Sequence, residues 1–199
     1  PCIPFWGLPM MYYSFYLLKK AGCHDTVINL HHLPEKIIEL MQSPAFEDFH
    51  IQFSLEKDKP YGSGGALYYA QNFLQDCDHF FAINADEVMA PTSPVILDRL
   101  REQHEKTGAL ATLLVTDHPE LLKTLKPVWI NDEGMVRAFG EKPDTREFLK
   151  PVHYTGYKVF RKDVLNKIPA GETHIFHDVL VPAMKNGEKV RILHDAGTW

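Results

Sequence analysis

His79–Val88, HFFAINADEV, changes character in its middle. Phe80 to Ile83 are apolar without alternation, the pattern of a short strand buried on both faces in a parallel sheet covered by helices. Asn84-Ala85-Asp86-Glu87 then turns polar at once. In open α/β sheets ligands gather beyond the carboxyl ends of the strands, which is where Asn84 and Asp86 emerge. A carboxylate there suits a hard cation that carries phosphates. The competing reading is that Asp86 and Glu87 only begin a solvated loop.

Around this stretch, helical and extended patterns alternate. Met11, Phe15 and Leu18 recur at helical spacing, with Lys19 and Lys20 in the last turn and Gly22 as the stop. Residues 26–30 form a strand, Pro34 opens a second helix that ends near Pro44, and 51–55 alternate as a strand with one wetter face. A helix carrying Leu67, Ala70 and Leu74 precedes the quoted strand. Thr92 or Ser93 is placed to cap the next helix, which carries Ile96, Leu97, Leu100 and His104 and closes at Gly108. A buried strand at 109–115 follows.

Beyond it the rhythm changes. Residues 128–130 and 135–139 flank the turn Asn131–Gly134 as a hairpin, and 152–160 are a strand with a short helix behind it at 163–168. Residues 175–185 are helical in period, kinked or divided by Pro182, and 189–194 are the last strand. The pattern predicts a three-layer α/β/α domain around a mixed, mainly parallel sheet, with residues 1–199 as one unit.

Composition narrows the function classes. The 45% hydrophobic and 24% charged content is that of an ordinary globular domain. A net charge of -5 without a basic stripe argues against nucleic acid as a partner. No apolar run is long enough to cross a membrane. Three scattered cysteines form neither a disulfide framework nor a zinc set, which points to a reducing compartment, the cytoplasm. Nothing in the pattern sets an oligomeric state.

Several short segments carry polar chemistry. Gly62-Ser63-Gly64-Gly65 lies between a strand and a helix, where glycines admit close backbone approach to a ligand or simply make a turn. It lacks the Gly-Lys-Ser/Thr of a Walker loop and is not a complete G-x-G-x-x-G. Glu141 and Lys142, before Pro143, reach one ligand only if the strand bends there, and otherwise are surface charges. Thr155-Gly156 interrupts an apolar strand, marking a bulge, a ligand approach or a packing gap beneath an aromatic. Among eleven histidines, His31-His32 and the His174/His177 pair lack the accompanying ligands of a zinc site, so a metal-hydrolase reading is a minor one.

Taken in order, NLHHLPEKI, YGSGGAL, FAINADEV, FGEKP, TGYKVF, DVLVPAMKNGE and HDAGTW resemble the sugar-1-phosphate nucleotidyltransferase family. The likeness is to the branch with mannose-1-phosphate guanylyltransferases and N-acetylmuramate-1-phosphate uridylyltransferases, and it runs over nearly the whole chain. The resemblance implies a Rossmann-like nucleotide-diphospho-sugar transferase fold. It also implies an Mg²⁺-dependent reaction joining a nucleoside triphosphate and a sugar 1-phosphate, with release of pyrophosphate. By position it makes Asp86 the metal-binding and catalytic aspartate and Lys142 a catalytic lysine near the sugar phosphate. Gly62, Ser63, Gly64, Gly65 and Asn84 fall on the nucleotide side, and Glu141, Thr155 and Gly156 on the sugar side. A non-catalytic relative that binds sugar nucleotide as a regulatory module is the alternative.

The same resemblance places an opening strand, a Gly-x-Gly-Thr-Arg loop and a lysine ahead of Pro1. It places a second metal-binding aspartate two positions after Trp199. Residues 1–199 are therefore expected to be a portion of a longer chain, since the opening strand is central in that fold and its loss leaves backbone groups unpaired. Leu125-Lys126-Pro127-Val128 stands where the family carries a Tyr-Gly pair against the sugar, and proline there removes an N–H donor.

Overall fold

The computed structural model describes residues 1–199. A short hairpin, β1 (Pro4–Phe5) with β2 (Leu8–Pro9), leads into α1 (Met11–Lys20). Then come β3 (Asp25–Leu30), α2 (Pro34–Met41) and β4 (His50–Leu55). The alternation continues through α3 (Gly62–Leu74), β5 (His79–Ile83), α4 (Ile96–Thr107) and β6 (Ala111–Thr116). The hairpin β7 (Val128–Ile130) and β8 (Val136–Phe139) precedes the long β9 (Lys150–Arg161). A 3₁₀ segment (Lys162–Lys167), a π-helical segment (Ile175–Leu180), α5 (Val181–Lys185) and β10 (Val190–His194) complete the chain.

The main sheet runs β10-β6-β9-β7-β8, with β5 also on β9. β9 is long enough to serve three partners. β6 takes one edge, while β5 and β7 take successive stretches of the other. The sheet is mixed, as the sequence pattern implies. β5, β6, β7 and β10 point one way and β8 and β9 the other, but because β9 threads between them most neighbouring pairs are antiparallel. β3 and β4 form a separate parallel pair.

Helices cover both faces. Ala70 and Leu74 of α3, Val179 and Leu180 of the π-helical segment and Ala183 of α5 pack with Phe80, Leu113 and Phe160 on one side. Leu17 of α1 and Ile96, Leu97 and Leu100 of α4 pack with Leu114, Tyr157 and Val159 on the other. Complete burial of each leucine or isoleucine contributes about 1.5–3 kcal/mol. A third cluster, Met11, Phe15, Met41, Phe46 and Phe49, sits under the β3–β4 pair.

One local expectation is revised and another refined. α4 has Val95 as its N-cap with no side-chain cap bond; Thr92 instead gives its N–H and hydroxyl to Asp195. Residues 175–185 are divided beside Pro182, one of the two outcomes expected, and the first part is π-helical, not α-helical. Pro182 cannot donate to a carbonyl one turn back, and the turn before it opens to π geometry, with α5 restarting at Val181.

β5 pairs only with β9 and β3 only with β4. Between them the facing backbone edges of β3 and β5 are unpaired. They leave a gap, or cleft, of about 1060 Å³, walled by Val27 and Ile28 on one side and Phe80–Ile83 on the other. This is the position in which the family resemblance places the opening strand.

Candidate active site

Both ends of this cleft carry polar side chains, and the end beyond β5 holds the residues singled out in the sequence. Gly62, Ser63, Asn84 and Asp86 all line it, so four of the residues singled out in the sequence share one cavity. Asp86 is exposed and takes part in no hydrogen bond or ion pair within the protein. Asn84 is fixed from both sides. Its N–H donates to the Gly156 carbonyl (3.0 Å), and its Nδ2 donates to Glu87 Oε1 (2.6 Å). Glu87 Oε2 accepts from the indole N–H of Trp199 (2.9 Å). Glu87 is thus the bracket of the turn and Asp86 its free carboxylate.

Gly62–Gly65 form the first turn of α3, not a loop ahead of it. Gly64 and Gly65 are buried, and their N–H groups both donate to the Thr173 carbonyl, at 2.8 and 3.3 Å. A Cβ on Gly64 would lie 2.7 Å from Thr173 Cγ2, and one on Gly65 2.5 Å from the Gly171 carbonyl oxygen. Close packing of the Thr173 side chain on Gly64, and of the Gly171 carbonyl and Tyr61 Cβ on Gly65, therefore accounts for these two glycines. Ser63 Oγ accepts the Ile175 N–H (3.1 Å). The Gly62 and Ser63 N–H groups have no backbone acceptor, as expected for a helix start, and remain for a ligand.

Thr155 and Gly156 occupy a β-bulge, where the β6–β9 register shifts between Leu113 and Val115. Thr155 is fully buried and donates its hydroxyl to the Leu114 carbonyl (2.9 Å), which spends it inside the sheet. Gly156 has φ +88°, and a Cβ there would meet Glu87 Oε2 at 2.6 Å. The close approach is by Glu87, not by a neighbouring aromatic. Glu141 and Lys142 lie past the end of β8, exposed and outside the lining of the cleft. Gly140 (φ +80°) turns the chain there, and Lys142 Nζ rests 5.5 Å from the centre of the Trp129 ring. Pro127 is buried, and its carbonyl accepts the Gly140 N–H (2.8 Å).

Two buried charged residues also line the cleft. Glu56, after β4, is 4% exposed, and its Oε1 has no hydrogen-bond partner. Lys158, in mid-β9, is buried to the same degree. A charge within the apolar run VHYTGYKVF was the available signal for Lys158; Glu56 carried none beyond its place after a strand. The histidines do not converge: His31 Nδ1 pairs with the Glu56 carbonyl (2.9 Å), while the rings of His174 and His177 lie 4.9 Å apart beside the π-helical segment. No group of three or more His, Cys, Asp or Glu could hold a metal ion by itself.

A mixed sheet between helical layers, with polar groups gathered beyond a strand terminus, defines a three-layer α/β domain with a candidate ligand site. The match to the family described as Nucleotidyl transferase spans residues 1–199, and the chain belongs to that family, among the sugar-1-phosphate nucleotidyltransferases. It is 27% identical over 193 residues to a UTP–glucose-1-phosphate uridylyltransferase from Synechocystis sp., covering 92% of this chain and 49% of that protein. It is 28% identical over 202 residues to a mannose-1-phosphate guanyltransferase from Pichia angusta, covering 100% of this chain and 53% of the relative. The chain thus spans about half the length of these relatives. HddC from Yersinia pseudotuberculosis has the same fold, with a TM-score of 0.79 at 16% identity over 100% of this chain and 81% of its own.

Proposed function

We propose that the full-length protein is an Mg²⁺-dependent sugar-1-phosphate nucleotidyltransferase. The observation that carries this is the meeting of Gly62, Ser63, Asn84 and Asp86 around one cleft beyond the end of β5. In the reaction, an oxygen of the sugar 1-phosphate forms a bond to the α-phosphorus of the nucleoside triphosphate. The α–β phosphoanhydride bond breaks, and pyrophosphate leaves with its electron pair. Such a transfer needs positioning and neutralisation of spreading charge more than covalent help.

Mg²⁺ fits the donor set, because it takes one or two carboxylates and fills its remaining positions with phosphate oxygens and water. Asp86 is an unpaired, exposed carboxylate at the cleft mouth, and it is the residue that would hold the ion. Bound there, the ion supplies Lewis-acid polarisation of the phosphates. The free N–H groups of Gly62 and Ser63 at the start of α3 receive nucleotide oxygens, and Asn84, locked by Gly156 and Glu87, offers a fixed polar edge. Lys142 serves the sugar phosphate and Glu141 the sugar hydroxyls, from the turn that Trp129 supports. Gly156 acts on the sugar side by admitting Glu87 into the bulge. Three unpaired cysteines support a cytoplasmic setting, and no helix is long and apolar enough to cross a membrane.

The test is pyrophosphate release by the full-length protein with Mg²⁺ and each pairing of UTP or GTP with glucose 1-phosphate or mannose 1-phosphate. Release in at least one pairing that depends on both substrates is expected. Tight nucleotide binding without release in any pairing would instead make it a binding module.

A further inference from the structure

Lys158 stands in the register of β9 opposite Ala82 of β5 and Leu113 of β6. Ala82 is small, which leaves room for a long side chain, and Lys158 lines the same cleft as Gly62, Ser63, Asn84 and Asp86. It is 4% exposed. Its ammonium donates one hydrogen bond, to Tyr154 Oη (2.8 Å), and lies 5.3 Å from the centre of the Tyr154 ring and 6.0 Å from that of Phe160. An ammonium has three donors, and neither a neutral hydroxyl nor two ring faces cancels its charge. A buried charge left in that condition is destabilising.

Within residues 1–199 no carboxylate bonds to Lys158, the buried Glu56 of the same cleft included. The charged and titratable groups that face Lys158 are Tyr154 on its own strand, Glu87 after β5 and His174 ahead of the π-helical segment. Glu87 is spent on Asn84 and Trp199. The α3 residues on the cleft, from Gly62 to Leu74, carry no charge, and the carboxylates that line it, Asp25, Glu56, Asp76 and Asp86, make no bond to Lys158. The other arginine or lysine lining the cleft, Arg101, is already paired with Asp98.

We propose that Lys158 is an anion-binding residue of this cleft, whose ammonium takes a negatively charged phosphate oxygen of the bound nucleotide as its missing partner. The proposal rests on the nucleotide reading of the cleft given above. Burial lowers the Lys158 pKa to about 8, against a smaller upward pull from Glu87. At pH 8 roughly half of the free protein therefore carries Lys158 unprotonated, and an arriving anion raises the pKa and draws in up to about half a proton.

Titration calorimetry of the full-length protein with UTP and with GTP at pH 8, in Tris and in EPPS, measures that uptake. The wild type should take up protons. Lys158→Met should lose the uptake and bind ten-fold or more weakly while melting no lower, since an apolar chain replaces an unpaired buried charge. A merely structural lysine would not change the proton count. As a measurement independent of any variant, reductive methylation of the wild type at pH 8, read by peptide mass spectrometry, should show Lys158 protected by the nucleotide that binds. Equal proton uptake and affinity in wild type and Lys158→Met, or equal methylation with and without nucleotide, overturns the assignment of Lys158 while leaving the nucleotidyltransferase reading in place. Absence of UTP and GTP binding by the wild type overturns both.

Discussion

Gly156→Ala tests how the bulge in β9 builds the site. At φ +88° an alanine is strained by about 1–2 kcal/mol before any contact is considered. Its methyl would sit 2.6 Å from Glu87 Oε2, 2.7 Å from Glu87 Cδ and 3.2 Å from Asn84 Cβ, so Glu87 must withdraw. Withdrawal breaks the bonds from Asn84 Nδ2 and Trp199 Nε1, hydrogen bonds to a charged acceptor worth about 1.5–3 kcal/mol each. With partial recovery by water, the total loss is about 3–5 kcal/mol. At about 2–4 °C per kcal/mol for a protein of this size, the melting temperature should fall by about 10 °C. Circular-dichroism melts and urea titrations measure it. The decisive comparison is the same substitution in a Glu87→Ala background, where the clash with Glu87 is gone and about 1–2 kcal/mol of backbone strain remains beside the milder approach to Asn84 Cβ. Equal losses in the two backgrounds, or a single-variant shift under about 2 °C, would refute the claim that Gly156 exists to admit Glu87.

Other outcomes follow from the same geometry. Asp86→Asn should lower pyrophosphate release by orders of magnitude and leave the melting temperature within about 2 °C, because an exposed, unpartnered carboxylate holds nothing in place; near-normal release would remove Asp86 from the reaction. Asp195→Ala should cost about 3–5 kcal/mol in urea unfolding, since this buried carboxylate accepts from Thr92 N–H and hydroxyl and from Gly197 N–H and faces Arg99; a loss below about 1 kcal/mol would contradict that role. Burial holds His104 and His153 at about 4, below the ordinary 6.5, so between these values the unfolded chain binds protons that the folded chain refuses. Their contribution is complete above about pH 6.5 and is lost as pH falls toward 4, so the urea midpoint should drop across that window and His104→Asn should flatten the slope; a flat midpoint in the wild type would count against it.

Much of the fold was legible because its elements are amphipathic or buried runs with clear punctuation. α1 ends at Lys20 before Gly22, α4 closes at Gly108 with φ +58°, and β6 is buried at every position. What periodicity could not show was partnership. Nothing local in residues 150–161 says that one strand will serve β5, β6 and β7, because pairing depends on chain direction and tertiary approach. The same limit hid the fate of Thr92, whose composition marks a helix cap but whose hydroxyl goes to a carboxylate more than a hundred residues away.

The site was legible in position and less so in role. Asp86 and Asn84 were read from an abrupt change of polarity after an apolar strand, and they do emerge together at the cleft. The glycines illustrate why residue type alone misassigns work. A glycine reports only that something comes close, and at Gly64, Gly65 and Gly156 that neighbour is the protein itself: Thr173, the Gly171 carbonyl and Glu87. Their effect on a ligand is indirect, through the placement of the Gly62 and Ser63 N–H groups and of the Asn84 turn. Lys158 is the converse case. A lysine in an apolar strand conflicts with its surroundings, and local conflicts of that kind are where function is to be sought. Here the burial of the ammonium, its single neutral partner and its place on the cleft wall turn a sequence anomaly into a demand for an anion. The charged ligand proposed for this cleft is of the sign that answers it.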